Sequence, residues 1–263
     1  MNHLFRAIGV TSYRELIRFY QDGTRVFSSF AMPVLFLFVF GSGFSRTIGA
    51  LLPGVDFLQF MFPGIVALIA FQTSLQSGLS IVWDREFGFL KEVLVAPLPR
   101  PGIVFGKALG TAIISLFQGL VMLILAPVVG VNLHLGAVLE LMPVLLLISL
   151  SISGLGLLIA SRMRSMSGFQ MATQLVVFPS MFASGAFFPL NNVPAWLGAL
   201  AKINPLTYGV DAVRHLFLGS EAAGALGVQL FGRSLNFRDD LIVIAAIGLV
   251  FMTTAALTFG KRD

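Results

Sequence analysis

The order of charged and apolar positions divides the chain before any other feature is considered. Six stretches contain no Asp, Glu, Lys or Arg: 26–45, 57–83, 108–139, 141–161, 165–201 and 241–260. A helix crossing a bilayer core of about 30 Å needs roughly 20 apolar residues, so each run supplies one span. The spacing predicts an all-α membrane protein with six transmembrane helices, at about 26–45, 60–83, 106–129, 138–161, 167–188 and 241–260. The longest run leaves too little for a second crossing. A β-barrel would need ~10-residue strands of alternating polarity, whereas 34–40 (VLFLFVF) and 144–150 (VLLLISL) are continuously apolar. Pro33, Pro63, Pro127, Pro143 and Pro179 fall in or beside these runs, where neighbouring helices can satisfy the backbone groups a proline frees.

Three segments do not span. In residues 1–25, Tyr13, Leu16, Ile17 and Tyr20 recur at helical spacing, with Arg14, Arg18 and Arg25 on the other face. This predicts an amphipathic helix in the interface, its apolar side in acyl chains and its arginines at anionic headgroups; the plain alternative is a basic lead-in that only sets topology. No cleavable leader is expected, because the segment lacks an apolar centre. In 84–107, Trp83, Phe87, Leu90 and Leu94 form a stripe among Asp84, Arg85, Glu86, Lys91 and Glu92, ended by Pro97, Pro99 and Pro101. A short helix that docks a soluble partner and a solvated surface turn both fit. In 189–240, two short helical patterns broken by Asn204 and Pro205 predict re-entrant or interfacial pieces.

Composition agrees with this class. The chain has 263 residues, 57% hydrophobic and 11% charged, against about 25% charged in soluble domains. Without cysteine there are no disulfides, Cys-ligated metals or Cys nucleophiles. The net charge of +5 reflects basic loops rather than nucleic-acid binding. If both termini are cytoplasmic, the inside loops 1–25, 84–107, 162–164 and 261–263 hold 12 of the 17 Lys and Arg, which the positive-inside rule favours.

Catalytic motifs are missing. His3, His134 and His215 have no metal-ligand spacing, and 102–108 (GIVFGKA) lacks the spacing and the hydroxyl residue of a phosphate loop. No cofactor and no metal are expected on this chain. Asp56, Lys107 and Glu140 lie at run boundaries, where headgroups or water would solvate them, so no embedded charge cluster is expected for an ion-coupled transporter or a membrane enzyme. Gln72, Thr73, Gln76, Ser77, Gln118, Gln170 and Gln174 are polar groups inside spans; they serve interhelical hydrogen bonding or line a substrate path. Gln72, Gln76 and Gln174 are the path candidates, with Phe182, Phe187 and Phe188 as an apolar exit. Gly102, Gly106 and Gly110 form two overlapping small-xxx-small steps, which allow close helix approach.

Two stretches resemble a known family. Asp84–Lys107 is similar to the pattern of an acidic-Arg-Glu start, a Gly, then Leu-Val-x-Pro and Arg. Residues 185–219 (GAFFPLNNVPAWLGALAKINPLTYGVDAVRHLFLG) resemble the signature region after span five of the type-2 ATP-binding-cassette exporter permeases, the family of daunorubicin-resistance, nodulation-factor and polysaccharide or teichoic-acid exporters. The resemblance implies a non-catalytic half-transporter in the inner membrane: two permeases as a homodimer or pseudo-dimer, with two separate ATPase subunits holding ATP and Mg on the cytoplasmic side. It makes Trp83–Pro97 the coupling helix, with Asp84, Arg85, Glu86, Phe87, Leu90, Lys91 and Glu92 as contacts, the N-terminal segment a connecting helix, and 190–219 external re-entrant helices. The apolar spans point to a hydrophobic or amphiphilic substrate; an ion-coupled secondary transporter is the runner-up.

Overall fold

The computed structural model describes residues 2–49, 56–88, 100–131, 133–191, 193–219, 223–224, 226–227, 229–230 and 233–259. Ten α-helices account for most of them: α1 (Asn2–Gln21), α2 (Gly23–Gly49), α3 (Phe57–Leu75), α4 (Leu79–Glu86), α5 (Arg100–Met122), α6 (Leu135–Arg162), α7 (Met166–Ala183), α8 (Ala195–Ile203), α9 (Pro205–Leu218) and α10 (Phe237–Phe259). A single antiparallel pairing, Gln229–Leu230 with Arg233–Ser234, lies before α10.

Among the described residues, five helices are long and apolar enough to cross a membrane: Gly23–Phe44, Phe57–Glu86, Pro101–Leu125, Leu135–Arg162 and Phe237–Thr258. The fifth predicted span is the exception. Its helix, α7, has 18 residues and carries Gln170 and Gln174, so it is shorter and more polar than the rest. Its contacts nevertheless fix its course. At one end the Met166 amide donates to Glu86 Oε2 at 2.7 Å; at the other, a methyl on Gly64 would stand 2.7 Å from Ala186 Cα. Residues 166–186 therefore run antiparallel to 64–86 over the same length.

α3 and α4 form one 30-residue rod, interrupted by a 3-10 turn at Gln76–Gly78. The interruption falls where the rod crosses α6. A methyl on Gly78 would lie 2.6 Å from the Gly156 carbonyl, and Ser77 Oγ donates to the Ser153 carbonyl at 2.9 Å. Only glycine backbones pack this closely. α3 is the buried centre of the bundle, with Phe57, Phe60–Phe71 and Leu75 nearly all enclosed. α2 and α10 each expose apolar side chains, including Phe27, Leu35, Ile242 and Leu249.

The N-terminal helix is placed differently from expectation. α1 lies parallel to the start of α5, with Ala7, Thr11 and Glu15 over Gly102, Gly106 and Gly110. Tyr13 and Tyr20 are exposed, while Thr11, Ser12, Glu15 and Phe19 are buried. Where α1 meets the glycine stripe its buried face is made of Ala7, Thr11, Ser12 and Glu15, because the stripe offers a backbone groove in which a large side chain does not fit.

Candidate functional site

A cavity of about 870 Å³ opens among α1, α2, α3, α4 and α7. Gln72, Gln76 and Gln174, read from the sequence as path candidates, all lie on its wall, together with Thr73, Gln118, Gln170 and Thr173. Thr73 Oγ1 donates to Gln118 Oε1 at 2.6 Å, a bond between α3 and α5. The side-chain amides of Gln72, Gln76, Gln170 and Gln174 have no hydrogen-bond partner among the described residues. Along the antiparallel α3–α4 and α7, Gln76 and Gln170 lie toward Glu86 and Gln72 and Gln174 nearer the middle, while Ile65, Leu68 and Met181, with Phe36, line the other end. Arg18, Asp22, Arg25 and Trp83 stand at the mouth.

The three phenylalanines read as an exit are not on this wall. Phe187 is buried behind it, 6.0 Å from the lining Phe36 and 5.5 Å from Phe40, ring centre to ring centre. Phe182 meets Phe187 at 6.0 Å and is half exposed; Phe188 packs against the core. They close the apolar end of the cavity from outside.

The mouth is held by ion pairs that bring together residues far apart in sequence. Asp84 is buried, and its carboxylate accepts from Arg14 at 3.1 Å and from Arg18 at 3.3 Å. Two arginines assigned to headgroups are thus taken up by a carboxylate assigned to a partner. Arg25 lies 5.9 Å over the Phe19 ring. Arg85 donates to the carbonyls of Ala160 (3.1 Å) and Met163 (2.7 Å), satisfying the end of α6. Glu86 binds the start of α7. Phe87 and Trp83 are exposed and stack at 4.7 Å. Leu90, Lys91 and Glu92 lie outside the described residues.

Lys107 is not solvated, as its position at a run boundary implied. It is buried, with Nζ 2.8 Å from Glu15 Oε1, and it also donates to Ser80 Oγ, which in turn donates to Glu15 at 2.7 Å. Burial pushes the Glu15 carboxyl up; the charge and hydrogen bond of Lys107, with Ser80 and Arg18, more than reverse this, so Glu15 sits below the ordinary carboxylate value of 4.5. Glu15 was missed from the sequence. The signal is Ala7, Thr11 and Glu15 at four-residue spacing, matching the glycines of α5.

An embedded charge cluster also exists, contrary to expectation. Arg214, with no exposed surface, donates to Asp211 at 2.9 Å and to the Gly185 carbonyl at 2.6 Å, and lies 4.3 Å over the Phe60 ring. Asp240, equally enclosed, accepts no hydrogen bond and is 3.6 Å from His215 Nδ1. Asp211 and Asp240 are 29 positions apart, so linear spacing did not announce them. None of the four lines the cavity. No group of three or more metal-binding side chains occurs among the described residues.

The cavity lies among apolar helices of membrane-crossing length, as a transport path would. Residues 6–218 match the family described as ABC-2 type transporter, and the chain belongs to that permease family. It is 31% identical over 245 residues to a protein named as transport permease ycf38 of Cyanophora paradoxa, covering 90% of this chain and 83% of the relative. It is 27% identical over 200 residues to nodulation protein J of Rhizobium leguminosarum bv. viciae, 75% and 76% of the two chains. A protein of Escherichia coli K12 named as a multidrug ABC transporter permease, YbhR, is 28% identical over 167 residues, 63% of this chain and 45% of that one.

Proposed function

We propose that the chain is the membrane half of an ATP-driven exporter, carrying a hydrophobic or amphiphilic substrate outward across the cytoplasmic membrane. Two copies, as homodimer or pseudo-dimer, would enclose the path. Two separate ATPase subunits would hold ATP and Mg and bind where 84–97 emerges; this chain would bind no cofactor. Both termini would be cytoplasmic, with α7 as the sixth crossing. The antiparallel course of 166–186 along 64–86 and the basic loops on one side support that topology.

One observation carries the proposal. The residues where the cytoplasmic loop begins are also those that hold the cavity's mouth. Trp83 lines it; Asp84 ties α4 to α1; Arg85 and Glu86 tie α4 to α6 and α7. A push delivered to the segment after Trp83 therefore moves three cavity-lining helices, α1, α4 and α7, together with α6. Such a lever suits a chain that takes its energy from a partner, because a shift between two states needs contacts that differ between them. Copurification from membranes tests this: a soluble nucleotide-hydrolysing subunit should accompany the permease, and transport should stop when ATP is removed.

The Asp211, Arg214, His215 and Asp240 cluster favours the ion-coupled alternative by composition. Its position off the cavity wall counts against a coupling role. Transport that persists with a collapsed proton gradient and stops without ATP would exclude that alternative; the reverse result would exclude the ATPase reading.

A further inference from the structure

The charges of the cluster on α9 and α10 do not balance. Arg214 brings one positive charge against the carboxyl groups of Asp211 and Asp240, and all three side chains are enclosed. His215 Nδ1 stands 2.8 Å from the Asp211 carbonyl. A carbonyl only accepts, so Nδ1 carries a hydrogen, and a neutral ring then has none on its other nitrogen. With both carboxyls ionised and His215 neutral, the cluster would hold one uncompensated negative charge, which burial makes very costly. Asp240 is the exposed point of this imbalance in chemical terms: neither of its oxygens accepts a hydrogen bond, although the residue is wholly buried, and its ion-pairing neighbour among the described residues is His215 at 3.6 Å. One proton, on Asp240 or on the second nitrogen of His215, makes the set neutral. The other groups that face it do not supply the charge. On α9, Tyr208 spends its hydroxyl on the Lys202 carbonyl; on α10, Asp239 is exposed and accepts from the Asn236 amide. α3 presents the Phe60 ring, α6 presents Ile148 against Gly209, and the turn after α7 presents the Gly185 carbonyl. With no grouping of three metal-binding side chains among the described residues, a proton fits better than a metal ion.

We infer that Asp211, Arg214, His215 and Asp240 form a binding site for one proton, and that this proton sets whether Arg214 holds the turn behind the cavity's apolar end. With the proton bound, the guanidinium serves Asp211 and the Gly185 carbonyl. Gly185 leads into Phe187, which packs on Phe36 of the cavity wall. When the proton leaves to solvent, the Asp240 carboxylate competes for the guanidinium, whose Nε has no hydrogen-bond partner. Arg214 then turns toward Asp240 and gives up the Gly185 carbonyl, and the turn carrying Phe187 loosens. The two states differ in a named contact, as a switch requires. The cluster lies off the cavity wall, so the proton acts on the wall's support and not on what the cavity holds.

The test counts protons and measures a distance on the full-length chain in nanodiscs. Titration from about pH 7 to about pH 10 should release about one proton more from the wild type than from Asp240→Asn or Asp211→Asn, because either variant leaves a single carboxylate to balance Arg214. Gel filtration shows which variants fold. Spin labels on Leu139→Cys of α6 and Ala195→Cys of α8, both exposed positions in a chain without other cysteines, report on the turn between α7 and α8. Their separation should broaden in the wild type as the pH rises and stay unchanged in the folded variants. The wild-type melting temperature should fall over the same range, because the folded chain holds a proton that the unfolded chain has already released. If neither variant folds, the wild-type distance and melting curves decide alone. No extra proton, a separation that ignores pH, equal broadening in the variants, or broadening set by sodium concentration at constant pH overturns the inference. Every readout is on the permease alone, so failure to copurify an ATPase would overturn the exporter reading and leave this result standing.

Discussion

Lys107 on α5 lies 2.8 Å from Glu15 on α1, and both side chains are buried. The pair joins two helices separated by 92 positions and is completed by Ser80 of α4. Lys107→Met would leave the Glu15 carboxylate buried without its cation, at a cost of about 3–5 kcal/mol. The double variant Lys107→Met with Glu15→Met should recover much of that loss. Thermal unfolding of the purified permease, followed by fluorescence-detected size exclusion, measures both.

Acid should act on the same pair. The folded-state value of Glu15 lies below 4.5, its ordinary value, so the pair's contribution is complete above that pH. As the pH falls through the lowered value the carboxylate takes up a proton and the contribution disappears. The melting temperature of the wild-type chain should therefore stay level from neutral pH down to about 5 and then drop. In Glu15→Gln this part of the acid limb should be absent, with a lower plateau. A parallel acid limb in both proteins would remove Glu15 as its source.

The seam between α1 and α5 depends on missing side chains. A methyl at Gly106 would stand 2.6 Å from Thr11 Cβ and 2.9 Å from the Ile8 carbonyl. Gly106→Ala should destabilise the chain by about 1–3 kcal/mol through overpacking. Disulfide trapping between cysteines placed on the two helices should slow. Gly9→Ala, where a methyl meets nothing, serves as the control and should be silent.

Asp84 fastens the C-terminal end of α4 to Arg14 and Arg18. The arginines keep 40% and 35% of their side-chain surface, so Asp84→Asn should cost only about 1 kcal/mol. Its larger effect should be on distance: spin labels on α1 and α4 should show a broader separation than in the wild type. Nucleotide hydrolysis by the partner should then respond less to transport substrate. An unchanged distance distribution would count against Asp84 as the tie.

In the embedded cluster, two carboxylates face one guanidinium. Removing the cation with Arg214→Met should abolish stable expression, since it leaves Asp211 and Asp240 buried together and the Gly185 carbonyl unmet. Asp240→Asn alters a carboxyl group that accepts no hydrogen bond and should be tolerated. Yields after gel filtration distinguish the two.

The run lengths placed the helices because the bilayer sets one length for every span; α7 alone blurred this, since Gln170 and Gln174 face a cavity and lower its hydropathy. Gln72, Gln76 and Gln174 could be picked out as lining one cavity because polar groups inside spans are few. Phe182, Phe187 and Phe188 lie off that wall: in a chain with 26 phenylalanines, type alone does not separate a wall from what stands behind it.

The sequence by itself determined that this chain lives in a membrane, which stretches form its long apolar helices, and which family it resembles, since these follow from local hydropathy and short motifs. Tertiary structure decided which charges meet. Glu15, Ser80 and Lys107 come from three helices, Asp84 turns to α1 rather than outward, and Asp211 finds Arg214 beside Asp240 across two elements. Pairing depends on helix rotation and depth, set by glycine contacts such as Gly106 against Thr11 and Gly78 against Gly156, and those are properties of packed surfaces, not of spacing along a line.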